Sequence, residues 1–165
     1  MCHKMSKEGK QSVAESTGAG KGGFVGRYDH ALDPKRRFTI PSEWRDLMGN
    51  PKFVYVMPDP KDRCVNIIPT VEMDARLDKL REKALFDPAL RPVLQKIGAS
   101  SEMPALDVQG RIRISDKLLQ FANLTTTVAM LGAVRTIQLW NPSALPPADE
   151  VDQAGLREAL AVAEF

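Results

Sequence analysis

Two halves of this chain share one order of residues, and that duplication limits the folds that the chain can adopt. The first half contains LDPKRRFTIPSEW, and the second contains LDVQGRIRISDKL, which aligns with it without a gap. The first half continues with FVYVM and RCVNIIPT, which align with TVAML and RTIQLWNP in the second. Because a whole succession of segments recurs in one order, we interpret the chain as two copies of one structural unit.

Each copy is predicted to form a strand, a tight turn, a second strand, a short helix and two further strands. Alternating apolar residues such as Phe38 and Ile40 indicate the strands, and Asp33 is favoured at the start of a turn. The predicted strands cover 24–32, 37–40, 53–57 and 63–68 in the first copy, and 103–106, 111–114, 126–131 and 135–140 in the second.

The short helix of each copy has recognisable signals at both ends. Ser42 and Ser115 are candidate N-caps, because a serine oxygen accepts a hydrogen bond from the first turn of a helix. Gly49 and Asn123 are expected to end the two helices, since both residue types tolerate the left-handed backbone conformation.

A copy of about 45 residues is too small to bury a sufficient core alone. We therefore expect the two copies to interlock or the protein to oligomerise. The predicted organisation is a disordered tail at 1–22, a first repeat at 23–69, a helical connector at 70–97, a second repeat at 98–145 and a C-terminal helix at 146–165.

Basic residues cluster around the first hairpin turn and, less densely, around the second. The formal net charge of the chain is only +2, so a nucleic-acid function must depend on this local clustering. A two-stranded ribbon fits the major groove of DNA, where arginine reads guanine, whereas other basic residues hold phosphates. The candidate DNA-binding residues are Arg27, Lys35, Arg36, Arg37, Arg111 and Arg113.

Both turns carry the motif Asp-x-x-x-Arg, at Asp33–Arg37 and at Asp107–Arg111. An aspartate at the first turn position accepts hydrogen bonds from backbone amides across the turn. The arginine either pairs with that aspartate or extends outward as a cation on a rigid support. We interpret Asp33, Asp107 and Gly110 as supports of the hairpins.

Other classes of protein are less consistent with the sequence. Cys2 and Cys64 have no disulfide or zinc spacing, and no segment resembles a secretory signal or a membrane span, so we expect a cytoplasmic protein without a cofactor, metal or small-molecule substrate. The only histidines, His3 and His30, lack a nucleophile in a matching context. Carboxylates such as Asp29 have no spacing that indicates acid–base catalysis, and we expect no enzyme.

The residues around both turns resemble the MraZ family. FVGRYDHALDPKRRFTIPSEWRDLM is similar to the opening of that family, whose pattern is F-x-G, L-D-x-K-G-R, I-P and R-x-x-L. MPALDVQGRIRIS resembles the start of the family's second copy, and RTIQLWNPSAL resembles its end. The similarity covers Phe24 to Leu145 and omits the tail and the final helix.

This resemblance implies an α+β, mainly β fold, in which two AbrB-like halves interleave as a swapped-hairpin, double-psi-type β-barrel with short helices packed outside. It implies an octamer-like ring of identical subunits, associated with the nucleoid. It also implies a transcriptional regulator that binds direct repeats of double-stranded DNA in the promoter of the division and cell-wall gene cluster, its own gene included. Lys35, Arg37 and Arg111 match the expected DNA contacts.

Three positions depart from the family pattern. Arg36 replaces a glycine, Val25 replaces a residue that is commonly basic, and Ser115 replaces a proline. A left-handed turn would strain Arg36, although the added charge could bind phosphate. The alternative function is therefore a ring-forming, antitoxin-like protein-interaction module with weak, non-specific affinity for DNA.

Overall fold

Seven short strands and five helices make up the part of the chain that the computed structural model describes, residues 22–165. The strands are β1 (Arg27–Ala31), β2 (Arg37–Thr39), β3 (Tyr55–Pro58), β4 (Val65–Ile68), β5 (Arg111–Arg113), β6 (Thr127–Gly132) and β7 (Ile137–Trp140). The helices are α1 (Ser42–Leu47), α2 (Thr70–Phe86), α3 (Arg91–Ser100), α4 (Asp116–Phe121) and α5 (Gln153–Val162). Apart from Gly22, the tail predicted at 1–22 lies outside the described residues.

The strands of the two copies pair with each other. One antiparallel sheet has the order β1-β6-β7-β4-β3, and a second sheet consists of β2 and β5. Strand β1 of the first copy pairs with β6 of the second, β2 pairs with β5, and β4 pairs with β7. The predicted mainly β class with interleaved halves is confirmed. Within residues 22–165 the named strands form two separate sheets around one core.

An approximate twofold axis relates the two copies. In the ladder of β1 and β6, Ala31 lies opposite Thr127. The equivalent positions, 74 residues away in each direction, are Ala105 and Phe53, which form an isolated bridge. At the centre of the β2–β5 ladder, Phe38 lies opposite its own counterpart, Ile112. The duplicated sequence therefore folds into two halves with matching strand register.

One hydrophobic core serves both copies. Trp44 is buried and packs edge-on against Phe24 and Tyr28, with ring centroids 6.0 and 5.0 Å away. The other large, fully buried side chains come from both halves: Phe38, Ile40, Ile67, Ile112, Ile114, Leu118, Met130, Ile137 and Leu139. Because neither half supplies enough apolar surface alone, the interlocked arrangement is the one that buries it.

The ends of the short helices follow the sequence signals with one exception. The oxygen of Ser115 accepts a 3.4 Å hydrogen bond from the Leu118 amide and so caps α4. The predicted cap at Ser42 is wrong, because Pro41 is the N-cap of α1 and makes no side-chain bond there. The extended backbone of Pro41 brings the chain directly into the helix, so Ser42 is already helical.

Both helices end at equivalent positions in the left-handed conformation. Gly49 has a φ of 79° after α1, and Asn123 has a φ of 54° after α4. These positions are the predicted helix ends, and their positive φ values turn the chain towards the next strand.

The connector consists of α2 and α3, joined by a 3₁₀ turn at Pro88–Leu90. After β7, a 3₁₀ turn at Pro142–Ala144 leads towards α5. Among residues 22–165, no helix combines the length and the apolar character needed to span a bilayer.

Candidate nucleic-acid interface

The turn between β1 and β2 is held by Asp33. Its backbone carbonyl accepts a 2.8 Å hydrogen bond from the Arg36 amide. Its carboxylate accepts 2.8 Å hydrogen bonds from both the backbone N–H and the Nε of Arg37. The aspartate therefore fixes the turn and the direction of the arginine side chain that follows it.

The second hairpin repeats this arrangement. The Asp107 carboxylate accepts hydrogen bonds from the backbone N–H of Arg111 at 2.9 Å, from its Nε at 2.7 Å and from the Gln109 amide at 2.9 Å. The backbone N–H of Arg111 is the main cause that lowers the pKa of Asp107, and that of Arg37 lowers the pKa of Asp33. Both carboxylates thus stay ionised under ordinary conditions.

The β2–β5 ribbon presents arginines on its outer face. Phe38 and Ile112 lie opposite each other and are buried. Because side chains alternate along a strand, their neighbours lie on the other face of the ribbon. Those neighbours are Arg37, Thr39, Arg111 and Arg113. We define these four residues as the ribbon face.

Two arginines of the ribbon face are direct cross-strand partners. Arg37 lies opposite Arg113, and Arg111 lies opposite Thr39. Arg113 is exposed, and within residues 22–165 it forms no salt bridge. The Asp33 carboxylate balances the charge of Arg37, whereas the charge of Arg113 beside it is left without a carboxylate partner among these residues. The ribbon face is therefore an arrangement that an anion would stabilise.

Basic side chains also lie at the tip of the first turn. Lys35 is exposed. Arg36 has a φ of 60°, as the glycine of the family pattern predicts, and its Nη1 lies 2.7 Å from the Asp116 carboxylate at the start of α4. Both partners of this ion pair are more than half exposed, so it contributes little to stability. Arg36 can exchange Asp116 for another anion at small cost.

Gly110 occupies the position in the second hairpin that Arg36 occupies in the first. It is buried with a φ of 77°, and a Cβ there would overlap the guanidinium of Arg45. The Arg45 Nε donates a 3.0 Å hydrogen bond to the Ile40 carbonyl. The glycine thus leaves room for an arginine from the other copy, a contact that no sequence spacing indicates.

Arg27 differs from the other candidates. Its Nε and Nη2 donate 2.8 and 3.1 Å hydrogen bonds to the Asp29 carboxylate, and its Nη1 donates a 2.7 Å bond to the Pro146 carbonyl. Its guanidinium thus joins β1 to the segment before α5. A DNA contact by Arg27 stays a prediction, and the ribbon face does not include it.

The reactivity of the described side chains and their capacity to bind metal bear on catalysis. Burial raises the pKa of the Cys64 thiol to about 12, so it stays protonated and unreactive. Nowhere in residues 22–165 do three His, Cys, Asp or Glu side chains group closely enough to hold a metal ion. The arrangement is suited to binding an anionic surface.

Curated proteins provide an independent comparison. Transcriptional regulator MraZ of Clostridium acetobutylicum is 27% identical over 118 residues, which are 72% of this chain and 81% of the relative. The protein of the same name from Corynebacterium jeikeium is 30% identical over 118 residues, 72% of this chain and 80% of the relative. That from Corynebacterium efficiens is 29% identical over 137 residues, 82% of this chain and 93% of the relative.

No protein-family model matches the chain. The aligned region nevertheless covers most of both sequences in each comparison. The chain belongs to the MraZ family of transcriptional regulators.

Proposed function

We propose that this protein is a cytoplasmic, nucleoid-associated transcriptional regulator that recognises double-stranded DNA through the ribbon face. The observation that carries the proposal is the placement of half-buried Arg37 directly opposite exposed Arg113 on the ribbon. Asp33 already balances the charge of Arg37, so the charge of Arg113, unpaired within residues 22–165, is the one that phosphates or the acceptor atoms of guanine would stabilise most. The relatives named as transcriptional regulators support the same conclusion.

The dimensions of the ribbon are suited to the major groove. That groove is about 12 Å wide and admits a two-stranded ribbon. Each strand of the ribbon has three residues, which extend over about 10 Å. Arg37, Arg111 and Arg113 are the proposed readers of base edges, with Asp33 and Asp107 holding the first two in position.

The two hairpin tips would not contribute equally to DNA binding. Lys35 and Arg36 give the first tip two positive charges, whereas the equivalent residues of the second tip are Gln109 and Gly110. We assign Lys35 and Arg36 to phosphate contacts, which position a protein without reading sequence. The two copies, 23–69 and 98–145, would form one DNA-binding surface, in which the first tip binds phosphate more strongly than the second.

A single ribbon offers few contacts, so we propose that the protein acts as an octamer-like ring of identical subunits. When one ribbon of the ring has bound a repeat, the other ribbons are held close to the neighbouring repeats. Their high effective concentration there would raise the overall affinity for DNA with direct repeats. The repeat spacing would then contribute to specificity. The proposed target is the promoter of the division and cell-wall gene cluster, including the protein's own gene.

Fluorescence anisotropy on the DNA upstream of this gene tests the proposal. Arg113→Ala removes a cation that has no salt bridge among the described residues, so the hairpins should stay folded. We expect it to weaken binding by about 1–3 kcal/mol if Arg113 reads a base, or to reduce the salt slope by about one if it holds a phosphate. Arg76→Ala, on helix α2, is the control. It removes only a surface pair with Glu72, which contributes little to stability, and should bind like the wild type.

A shuffled duplex separates the two candidate functions. Preference for the native repeats, lost in Arg113→Ala, would support a sequence-specific regulator. Equal, weak binding of both duplexes by all three proteins would contradict it and favour a protein-interaction module.

A further inference from the structure

A groove with apolar walls lies between helices α2 and α3. Its inner part has a volume of about 370 Å³ and is lined by Met73, Leu77, Leu94 and Ile97, with Tyr55 of β3 at one end. Its outer part has a volume of about 420 Å³. Arg81 and Leu94 line both parts, so they form one continuous channel. We call this channel the connector groove.

The charges of the outer connector groove are all positive. Arg81 and Arg91 lie there beside Ala84, Leu85 and Pro88. Arg81 pairs with Asp78 at 2.9 Å on the surface of α2, whereas Arg91 has no salt bridge within residues 22–165. Glu102 lines the inner part, so the excess of positive charge is confined to the outer end. The channel therefore fits an apolar ligand whose negative charge lies at one end.

The segment 146–165, which contains α5, has that chemistry, and no residue of the helix itself is buried. Leu156 and Leu160 lie one turn apart on one face and are 55% and 37% exposed. The segment 146–165 contains five carboxylate side chains, namely Asp149, Glu150, Asp152, Glu158 and Glu164, and one basic residue, Arg157. It is therefore an acidic segment with an uncovered apolar stripe.

The lengths of helix and groove also agree. Helix α5 has ten residues, which extend over about 15 Å. The groove follows α2 from Met73 to Leu85, a distance of about 18 Å at the same rise per residue. An amphipathic helix commonly binds in this way, with its apolar face in a groove.

We propose that α5 of one copy of this protein docks in the connector groove of a second copy. The segment that leads to α5 is tied to β1 through the bond from Arg27 to the Pro146 carbonyl. Strand β1 is at one end of the five-stranded order, and β3, whose Tyr55 lines the groove, is at the other. The anchor of α5 and the groove of the same chain thus lie at opposite ends of that sheet, which favours the groove of a neighbour.

The inference names one contact of the homo-oligomer proposed above, and disulfide trapping tests it in the full chain without DNA. Cys2→Ser removes the cysteine of the N-terminal segment, and Cys64 is buried. In that background, a Leu94→Cys chain is mixed with a larger, tagged Leu160→Cys chain and exposed to a mild oxidant. The product is read as a heterodimer band on a non-reducing gel.

We expect the heterodimer to form at least about tenfold faster than with Val162→Cys in place of Leu160→Cys, because docked thiols have a high effective concentration. Val162 is exposed and lies on the same helix, away from the stripe of Leu156 and Leu160. Leu156→Asp in the tagged chain should remove the advantage of Leu160→Cys. Equal rates for the two cysteine positions would overturn the proposal.

A chain with both Leu94→Cys and Leu160→Cys distinguishes a neighbour's groove from the chain's own groove. Multimers on the gel support docking between copies, whereas a compact, cross-linked monomer overturns it. The anisotropy assay on Arg113→Ala measures DNA recognition and does not depend on the outcome of the disulfide trapping. Failed trapping with intact DNA recognition would therefore reject the α5 contact alone.

Discussion

The most unusual backbone in the candidate interface belongs to a single residue, Arg36. Its φ of 60° lies in the left-handed region, where a residue with a Cβ is roughly 1–2 kcal/mol less stable than in right-handed backbone. Gly110, the equivalent residue, also has a left-handed φ, and it adopts this conformation without strain because it has no Cβ. Strain of this kind often occurs at functional sites, which agrees with a phosphate-binding role for the Arg36 charge.

Arg36→Gly should make the protein more stable and a weaker DNA binder. We expect the free energy of unfolding to rise by about 1 kcal/mol because the left-handed strain is relieved, while the exposed pair with Asp116 contributes little. Urea unfolding measures the first effect and DNA anisotropy the second. Arg36→Ala is the control, since it removes the charge and keeps the strain. A less stable Arg36→Gly protein would contradict the prediction.

Asp33 and Asp107 should make the fold sensitive to acid. Hydrogen bonds from the backbone N–H groups of Arg37 and Arg111 hold their pKa values below the ordinary 3.8. A carboxyl whose pKa is lowered by folding stabilises the protein fully above its unfolded pKa. That stabilisation is lost as the pH falls through the lower, folded-state pKa.

Urea unfolding between about pH 6 and about pH 2 checks this prediction. The double variant Asp33→Asn, Asp107→Asn should be less stable than the wild type at the upper pH and should lose less stability on acidification. Asp74→Asn, on the exposed side of α2, should retain the wild-type dependence. An unchanged acid dependence in the double variant would show that these carboxyls are not responsible.

At the scale of the elements, the two hairpins share one backbone plan and differ in charge. Asp33 and Asp107 hold their turns through the same bonds, but the tips carry Lys35 in the first and Gln109 in the second. The backbone therefore sets the position of each tip, and we propose that the side chains decide which tip would bind phosphate.

Exchanging the tip charges tests that division of roles. Lys35→Gln should weaken DNA binding and lower the salt slope by about one. Gln109→Lys should strengthen binding if the second tip also approaches the backbone of DNA. Both residues are exposed, so the thermal stability of either variant should stay close to that of the wild type. A wild-type salt slope in Lys35→Gln would remove this lysine from the interface.

At the scale of the whole molecule, neither copy has a core of its own. The ladders β1–β6, β2–β5 and β4–β7 each combine one strand from each copy. The guanidinium of Arg63 lies 5.1 Å from the ring centre of Phe121 and adds a further contact between the copies. Folding of one copy therefore depends on the other.

Separate fragments 22–97 and 98–165 should not fold as monomers. We expect each alone to lack a cooperative unfolding transition. Only one antiparallel pair, β3–β4 or β6–β7, stays within each fragment, and the apolar surface that the other copy covers is exposed. Equimolar mixing should restore the β-sheet circular dichroism signal and give a complex of both chains. A cooperative transition in monomeric 22–97 would contradict the shared core.

The sequence by itself determined what depends on neighbouring residues. The duplication, the two Asp-x-x-x-Arg turns and the helix ends at Gly49 and Asn123 were predicted because their hydrogen bonds join residues close together in the chain. The cap at Ser42 was wrong because Pro41, its immediate neighbour, already fixes the start of the helix.

Only the tertiary structure decided which residues from different copies meet. It placed Arg37 opposite Arg113 and Arg45 over Gly110, and it also placed Arg27 against Pro146 of the C-terminal segment. These contacts join residues far apart in the chain, and burial of one shared core selects them. No local pattern encodes a register between two copies, because that register is the one that buries both sets of apolar side chains together.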